Sequence, residues 1–397
     1  ALEPPLYNKQ CLHLALQSDE RRGDGMTRQD IDMGEARKLA ARLLCFGFDG
    51  FEVNDHARQM IALGAGSVII FGRNIQGPRQ VASLCADLKR AAAPNPLIVM
   101  VDQEGGRVAR LREPSFTEVP SAARIGEAPD GVSAAAAAGY IFGRELRACN
   151  IDMDLAPCMD VNTNPRNRVI GDRSYGATPA AVSAMGAAFI TALQQQGVAA
   201  CAKHWPGHGD TTEDSHDTLP ALPHDIARLK SVEMKPFEAA LLAGVASVLV
   251  AHLLVPGMEP PGAPSVPASC SAAVVGYLRR DLGFDGVVMT DDMEMGALKA
   301  YSLSRAAVQG VAAGIDMFLV CHTAALQLEV VDAIAGALVR GELTREQMAA
   351  AAGRIERCCT RFCAPAPPGT GAPPDSAALV GTAAHKARMR AALTARL

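Results

Sequence analysis

Eight short apolar runs, rich in β-branched or methionine side chains, recur along this chain with longer helix-patterned segments between them. The runs are Leu43–Phe48, Ser67–Phe71, Leu97–Val101, Ile151–Ala156, Ala199–Ala202, Ser247–Ala251, Gly286–Thr290 and Ile315–Val320. Helical patterning fills Gln80–Ala92, Val132–Ala148, Pro179–Gln196, Ile226–Ala243, Ala272–Leu282 and Ser304–Ala313. Short runs with no polar alternation are what strands buried on both faces require, and each parallel step needs a crossover that a helix supplies. Eight such units predict an α/β fold, a single (β/α)8 TIM-barrel-like domain with elaborated loops on its C-terminal face. The Ala-rich face AAAAAG at Ala134–Gly139 favours close packing of a helix on its neighbours.

Polar residues fall where the runs end. Asp102, Gln103 and Glu104 follow the third, Asp160 and Asn162 the fourth, Lys203 and His204 the fifth, His252 the sixth, Asp291 and Asp292 the seventh, and Cys321 and His322 the eighth. In a barrel these positions form one rim, the face on which barrel enzymes carry their chemistry. A doubly wound sheet also binds at strand ends, but a spread over six strands suits a closed ring better. The densest segment, KHWPGHGDTTEDSHDTLP at Lys203–Pro220, packs three His, three Asp, one Glu and one Lys among Pro206, Gly207 and Gly209. Its Gly and Pro exclude a continuous helix or central strand, so it is expected to be a shaped loop at a site.

Composition narrows the function. The 397 residues exceed an average domain but suit one barrel with long loops, and 38 basic against 42 acidic side chains give no nucleic-acid footprint. No stretch holds eighteen uninterrupted apolar residues, and the opening segment lacks the pattern of a secretion signal. The expectation is a cytoplasmic monomer that binds no nucleic acid and no membrane, although a chain that starts at Ala1 is also compatible with a removed leader. Eleven scattered Cys argue for a reducing compartment, and CCTRFC at Cys358–Cys363 lacks a second ligand pair, so no metal is expected there. Residues 1–24 read as an N-terminal extension and 25–363 as the catalytic barrel. Its last helices are Ala324–Arg340 and Thr344–Phe362, the latter with Thr344 and Gln347 in capping-box register. Residues 364–397 read as a Pro/Gly linker and a basic helical tail.

The stretches IIFGRNI (Ile69–Ile75), VDQEGGRVARL (Val101–Leu111), DLAPCMDVN (Asp154–Asn162), NRVIGDRSYG (Asn167–Gly176), the KHWPGHGDTTEDSHDTLP loop and LGFDGVVMTDDMEMGAL (Leu282–Leu298) resemble, in order, the signatures of family 3 glycoside hydrolases. The likeness is to their β-N-acetylglucosaminidase branch and runs from about Leu43 to Ala351. It implies an α/β barrel, retaining hydrolysis of terminal β-linked N-acetylglucosamine from peptidoglycan-derived or chitin-type oligosaccharides, and no cofactor or metal. By the same resemblance Asp291 is the catalytic nucleophile, His216 the acid/base and Asp214 its partner. Asp102, Arg110, Arg173, Lys203 and His204 hold the sugar. The chain departs from the pattern at Trp205, Arg168, Tyr175 and Met293, where Phe, Pro, Phe and Leu are usual. No counterpart of the second domain that some members carry is expected after the barrel, and Val380–Leu393 only faintly resembles the segment leading to it.

The residues alone leave alternatives open. Asp291 can be a nucleophile or a helix N-cap, and Asp214 and His216 can fold the loop on itself rather than carry a proton. Asp160 and Asn162 can touch substrate or brace their loop. His208 and Asp210 fit the PGHGD turn better than a substrate contact, and His252 is as easily a satisfied rim histidine as a ligand. Gly207 and Gly209 can be hinges of a closing loop or meet a turn's backbone demands. The rival functions are a phosphorylase acting at the same site, a metal-dependent hydrolase using His204, His208, Asp210, Asp214 and His216, and a non-enzymatic sugar-binding barrel.

Overall fold

The computed structural model describes residues 31–112, 114–212, 219–299, 301–363 and 376–395. The N-terminal extension, the linker residues 364–375, and Asp214 and His216 lie outside the described residues.

The eight strands are β1 (Leu44–Phe46), β2 (Ser67–Ile70), β3 (Ile98–Val101), β4 (Met153–Asp154), β5 (Ala199–Trp205), β6 (Ser247–Val250), β7 (Val287–Asp292) and β8 (Met317–Val320). They pair in parallel, each with its sequence neighbour, and β8 closes on β1, giving the (β/α)8 barrel that the apolar runs predict. Inward-facing residues of the strands, among them Cys45, Ile98, Met100, Met153, Cys201, Val287, Met289 and Met317, form one buried cluster. Many are unbranched or small, which suits the taper of a barrel whose interior must fill without voids. Ile355, Cys358, Cys359 and Phe362 of the helix Arg345–Phe362 join that cluster. That helix therefore plugs one end of the barrel, with Cys358, Cys359 and Cys363 of its CCTRFC segment packed into or against the cluster. Its start is the expected capping box, with Gln347 N–H donating to Thr344 Oγ1 at 3.2 Å and Thr344 N–H to Gln347 Oε1 at 2.9 Å.

Two helices differ from expectation. Ile226–Ala243 divides into Ile226–Ser231 and Lys235–Leu242, because Pro236 falls in the first turn of the second piece, where its missing N–H costs no hydrogen bond. Ala272–Leu282 is helical only over Ala272–Gly276 and then widens into a π turn at Tyr277–Asp281.

Strands β5 and β7 run further than their apolar cores. Lys203, His204 and Trp205 belong to β5, and Asp291 and Asp292 to β7, rather than to the loops that follow. Lys203, His204 and Asp292 stay in these strands with partners from other loops, whereas Asp291 keeps, among the described residues, only the N–H of its neighbour Asp292. Pairing registers slip between Lys203 and Trp205, and between Met289 and Asp292. Such irregularities re-aim side chains beside a site.

The tail helix Ala383–Thr394 is fastened to the helix Gly131–Ala148. Buried Glu145 accepts from His385 Nδ1 at 2.9 Å, Gly381 N–H at 2.9 Å, Thr117 Oγ1 at 2.6 Å and Thr117 N–H at 3.1 Å. One carboxylate thus joins the tail to the loop after β3.

The Ala-rich face does bring helices close. A Cβ at Gly139 would lie 2.4 Å from the Phe189 carbonyl oxygen, on the helix Pro179–Gln194. Gly139→Ala is therefore expected to lower stability by about 1–3 kcal/mol through overpacking, although Ala is the better helix former. Urea unfolding monitored by circular dichroism measures this; unchanged stability would mean that the two helices separate freely.

Candidate active site

At the C-terminal ends of the strands the barrel opens into a cleft of about 750 Å³. Its apolar lining includes Ile69, Leu155, Leu249 and Leu319, from β2, the end of β4, β6 and β8. Polar groups come chiefly from the odd strands, with Asp102 just past β3, Lys203 and His204 on β5, and Asp291 and Asp292 on β7, and His322 joins them from just past β8. Arg110 from the loop after β3 and Arg173 from the turn Gly171–Arg173 complete the wall. The structure thus brings Asp102, Arg110, Arg173, Lys203, His204 and Asp291 to one cleft.

These groups are held by an ion-pair network. Lys203 Nζ contacts Asp102 Oδ1 at 2.8 Å and Glu104 Oε1 at 2.7 Å. Arg173 places Nε and Nη2 on the two oxygens of Glu104 at 2.8 and 2.7 Å. Arg110 Nη2 approaches Asp102 Oδ2 at 3.4 Å, and its guanidinium lies 5.6 Å from the Phe71 ring centroid. Burial opposes the charge on Glu104, but Arg173 and Lys203 outweigh it and hold the carboxyl well below the usual range. Burial likewise opposes the Lys203 charge, and Asp102 and Glu104 raise its pKa in spite of it.

A second carboxylate sets the backbone. Asp160, fully buried, accepts from His204 Nδ1 at 2.6 Å, from the His204 N–H at 3.3 Å and from the His208 N–H at 2.6 Å. The Cys158 thiol also lies 3.1 Å from it. Arg173 Nη2 sits 3.0 Å from His204 Nε2. Because a guanidinium only donates, Nε2 is the acceptor and the ring proton is on Nδ1, facing Asp160. Asp160 is therefore a brace: burial opposes its charge, and His204 and His208 hold its pKa low. The Lys203–His204 peptide bond is cis.

Asp291 is partly buried at the end of β7, and one of its oxygens accepts from the Asp292 N–H at 2.9 Å. Burial disfavours its ionisation, yet the His204 and His252 rings, that N–H and the Lys203 ammonium hold its pKa below the ordinary value. An ionised carboxylate thus faces an aqueous cleft. Asp292 instead ties loops together, with Oδ1 accepting from Glu294 N–H at 3.2 Å and Cys321 N–H at 3.3 Å.

The remaining polar residues sort themselves. His208 is buried with Nδ1 2.7 Å from Thr211 Oγ1, and burial followed by the neighbouring His204 depresses it to about 4. Asp210 accepts from Thr163 Oγ1 at 2.7 Å and pairs with His224 Nε2 at 2.6 Å. Both hold the PGHGD turn, although the His208 ring also reaches the cleft. His252 is fully buried, between Ser269 Oγ at 2.8 Å and the Asp292 carbonyl at 3.2 Å, so it is a satisfied histidine. A Cβ at Gly207 would meet Glu233 Cβ at 2.7 Å, and one at Gly209 would meet the Val161 oxygen at 1.9 Å. Close approach requires both glycines. Among the described residues of the metal-ligand reading, His204, His208 and Asp210 turn to three different sets of partners and do not converge on one point.

Glu104 was visible only as a polar rim residue. The signal that marks it is charge balance: three cations, Arg110, Arg173 and Lys203, converge with Asp102 as the one expected acid. Buried cations demand more counter-charge than that. Gly105 and Gly106 beside it take φ of 94° and 54°, which only glycine tolerates easily, and turn the chain so that Glu104 enters the network.

A closed barrel with charged groups gathered at its strand ends is the general architecture of barrel enzymes, and the comparisons supply the family. The model of the glycosyl hydrolase family 3 N-terminal domain matches residues 36–358, and the chain belongs to that family of glycoside hydrolases. A β-hexosaminidase of Xanthomonas oryzae pv. oryzae is 37% identical over 291 residues, spanning 70% of this chain and 84% of that protein. The family 3 β-N-acetylglucosaminidase from Paenibacillus sp. str. FPU-7 superposes with a TM-score of 0.85 at 39% identity, over 90% of this chain and 68% of that one. NagZ from Neisseria gonorrhoeae, solved with N-trifluoroacetyl-D-glucosamine, gives 0.72 at 29% identity, over 88% and 97%.

Glu104→Gln should strand Arg173 and Lys203 with one partner fewer, costing about 3–5 kcal/mol as broken buried pairs do. The pKa of Glu104 is lowered by folding, so its contribution is complete above the unfolded value of about 4.3 and is lost as pH falls. The variant should therefore show a smaller stability loss on acidification than the parent, read from urea unfolding at pH 7 and pH 4. Equal stability of the two proteins at pH 7 would contradict the network's importance.

Proposed function

We propose that the protein is a retaining exo-β-N-acetylglucosaminidase acting on terminal β-linked N-acetylglucosamine of peptidoglycan-derived or chitin-type oligosaccharides. The observation that carries this reading is the ionised Asp291 on the cleft floor, beside paired groups suited to sugar hydroxyls. The β-hexosaminidase and β-N-acetylglucosaminidase relatives support the substrate class. A carboxylate at that place attacks the anomeric carbon and forms a glycosyl-enzyme, splitting one difficult displacement into two. Asp102, Arg110, Arg173, Lys203 and His204 orient the ring through charge-assisted hydrogen bonds. Such bonds discriminate stereochemistry strongly, because a wrong hydroxyl leaves a buried partner unpaired.

In the same reading, His216 protonates the leaving oxygen and then activates water, with Asp214 orienting its ring. Water rather than phosphate completes the second step. The test is turnover of an aryl β-N-acetylglucosaminide with and without phosphate, with the sugar product identified. Free N-acetylglucosamine in both conditions is expected; a sugar 1-phosphate would replace hydrolysis by phosphorolysis.

Asp291→Ala should remain folded and lose at least about 10³-fold in kcat/KM, since no other group replaces a missing nucleophile. Near-parental activity would reassign the nucleophile. His216→Ala should injure disaccharide substrates more than aryl glycosides, whose leaving groups need little protonation, and should give a burst of aryl product. Equal losses on both substrates without a burst would remove His216 from the acid/base role.

A further inference from the structure

Arg110 is the least anchored of the three cations that meet in the cleft. Lys203 and Arg173 each make two charged contacts of 2.8 Å or less. The Arg110 guanidinium has one ion-pair contact, at 3.4 Å to Asp102, and a cation–π contact with Phe71. Its Nε is buried with no hydrogen-bond partner among the described residues. A single contact of that length holds a long side chain weakly.

What fixes Arg110 is its main chain. Gln103, buried just past β3, accepts the Arg110 N–H at 2.8 Å and the Leu111 N–H at 3.0 Å on the one oxygen Oε1, and its Nε2 donates to the Leu111 carbonyl at 2.9 Å. These partners fix the orientation of the amide, since the reverse would set its NH2 against two N–H donors. The Gln103 N–H in turn donates to Oδ1 of fully buried Asp154, at the end of β4, at 2.9 Å. The turn between Gln103 and Arg110 closes on its own backbone, with the Glu104 N–H donating to the Val108 carbonyl at 2.9 Å and the Val108 N–H to the Gly105 carbonyl at 3.2 Å. The arm that returns from this turn is joined to the barrel rim through the Gln103 amide, which takes two N–H groups and supplies one, as a neighbouring strand would.

We propose that Gln103 is a positioning residue for the sugar site: it sets the backbone of Arg110 so that the guanidinium stands between Asp102 and Phe71 with donors left for a sugar hydroxyl. The inference rests on the proposed role of Arg110 in holding the sugar, and names the group on which that role depends. Glu104, on the other arm of the turn, has Arg173 and Lys203 to hold it, so loss of Gln103 releases Arg110 and leaves the rest of the network and Asp291 in place. A contact made equally to substrate and transition state is then lost, and the effect falls on KM rather than kcat.

The experiment is a double-mutant cycle on an aryl β-N-acetylglucosaminide with the parent, Q103A, R110A and Q103A/R110A. Q103A and R110A should each raise KM about tenfold, the size of one lost charge-assisted hydrogen bond, with kcat within about threefold of the parent. Because both changes remove the same contact, the double variant should match the KM of R110A within about twofold. Q103E keeps the shared acceptor but loses the donor to Leu111, so it should recover part of the affinity; it replaces Q103A in the cycle if circular dichroism shows Q103A unfolded. KM effects that multiply to about a hundredfold in the double variant, or a fall in kcat at unchanged KM in Q103A, overturn the positioning role. A parental KM in R110A overturns it too, by removing Arg110 from the sugar. Failure of the parent to cleave the aryl glycoside would instead overturn the N-acetylglucosaminidase reading.

Discussion

Glu104 binds Arg173 through both its oxygens and Lys203 through one, with all three side chains nearly excluded from solvent. Three elements meet on this carboxylate and its neighbours: the loop after β3, which also carries Asp102, the turn Gly171–Arg173, and strand β5. Remove the negative charge and two buried cations repel each other at the centre of the cleft. The cost of leaving them so explains why the loop after β3 folds inward over two left-handed glycines rather than extending into solvent. Asp160 performs the matching task for the backbone of β5, fixing the His204 ring and the start of the PGHGD turn together.

This arrangement separates holding from reacting. The network around Glu104 satisfies its own charges, so Lys203, Arg173 and Asp102 are held in fixed orientations; in the proposed function this preorganisation lowers the entropy lost when a sugar binds. Asp291 stands outside the network. It keeps one backbone hydrogen bond and feels the positive side of the cleft, a combination that leaves it ionised yet accessible. The support extends outward: Thr117, in the loop that also carries Glu104 and Arg110, is gripped by Glu145, and the same carboxylate receives the tail helix.

The barrel was legible because buried parallel strands leave no room for polar alternation, and all eight runs are strands. Their ends were less legible. Ala202 looked like the end of β5 because Lys203 follows, but Lys203 stays in the strand once Asp102 and Glu104 neutralise it from another loop. Partners far apart in sequence cannot be read from one segment, and Glu104 escaped notice as a site residue for the same reason. Asp102, Arg110, Arg173, Lys203, His204 and Asp291 were placed by motif resemblance, and the structure gathers them in one cleft. The break before Lys235–Leu242 followed from Pro236, a local signal overridden by the helical pattern around it. The docking of the tail depends on His385 finding Glu145 across 240 residues, a contact that composition does not announce.

The central claim of the account is that Asp291 forms a bond to the sugar. A fluorinated N-acetylglucosamine analogue with an activated leaving group slows both steps and lets the glycosyl-enzyme accumulate, so the protein can be digested and its peptides weighed. The account predicts one sugar equivalent per chain, carried on the peptide containing Asp291 and located to that residue by fragmentation. Stoichiometric leaving-group release with no modified peptide, or a sugar found on Asp292 or another residue, would contradict it.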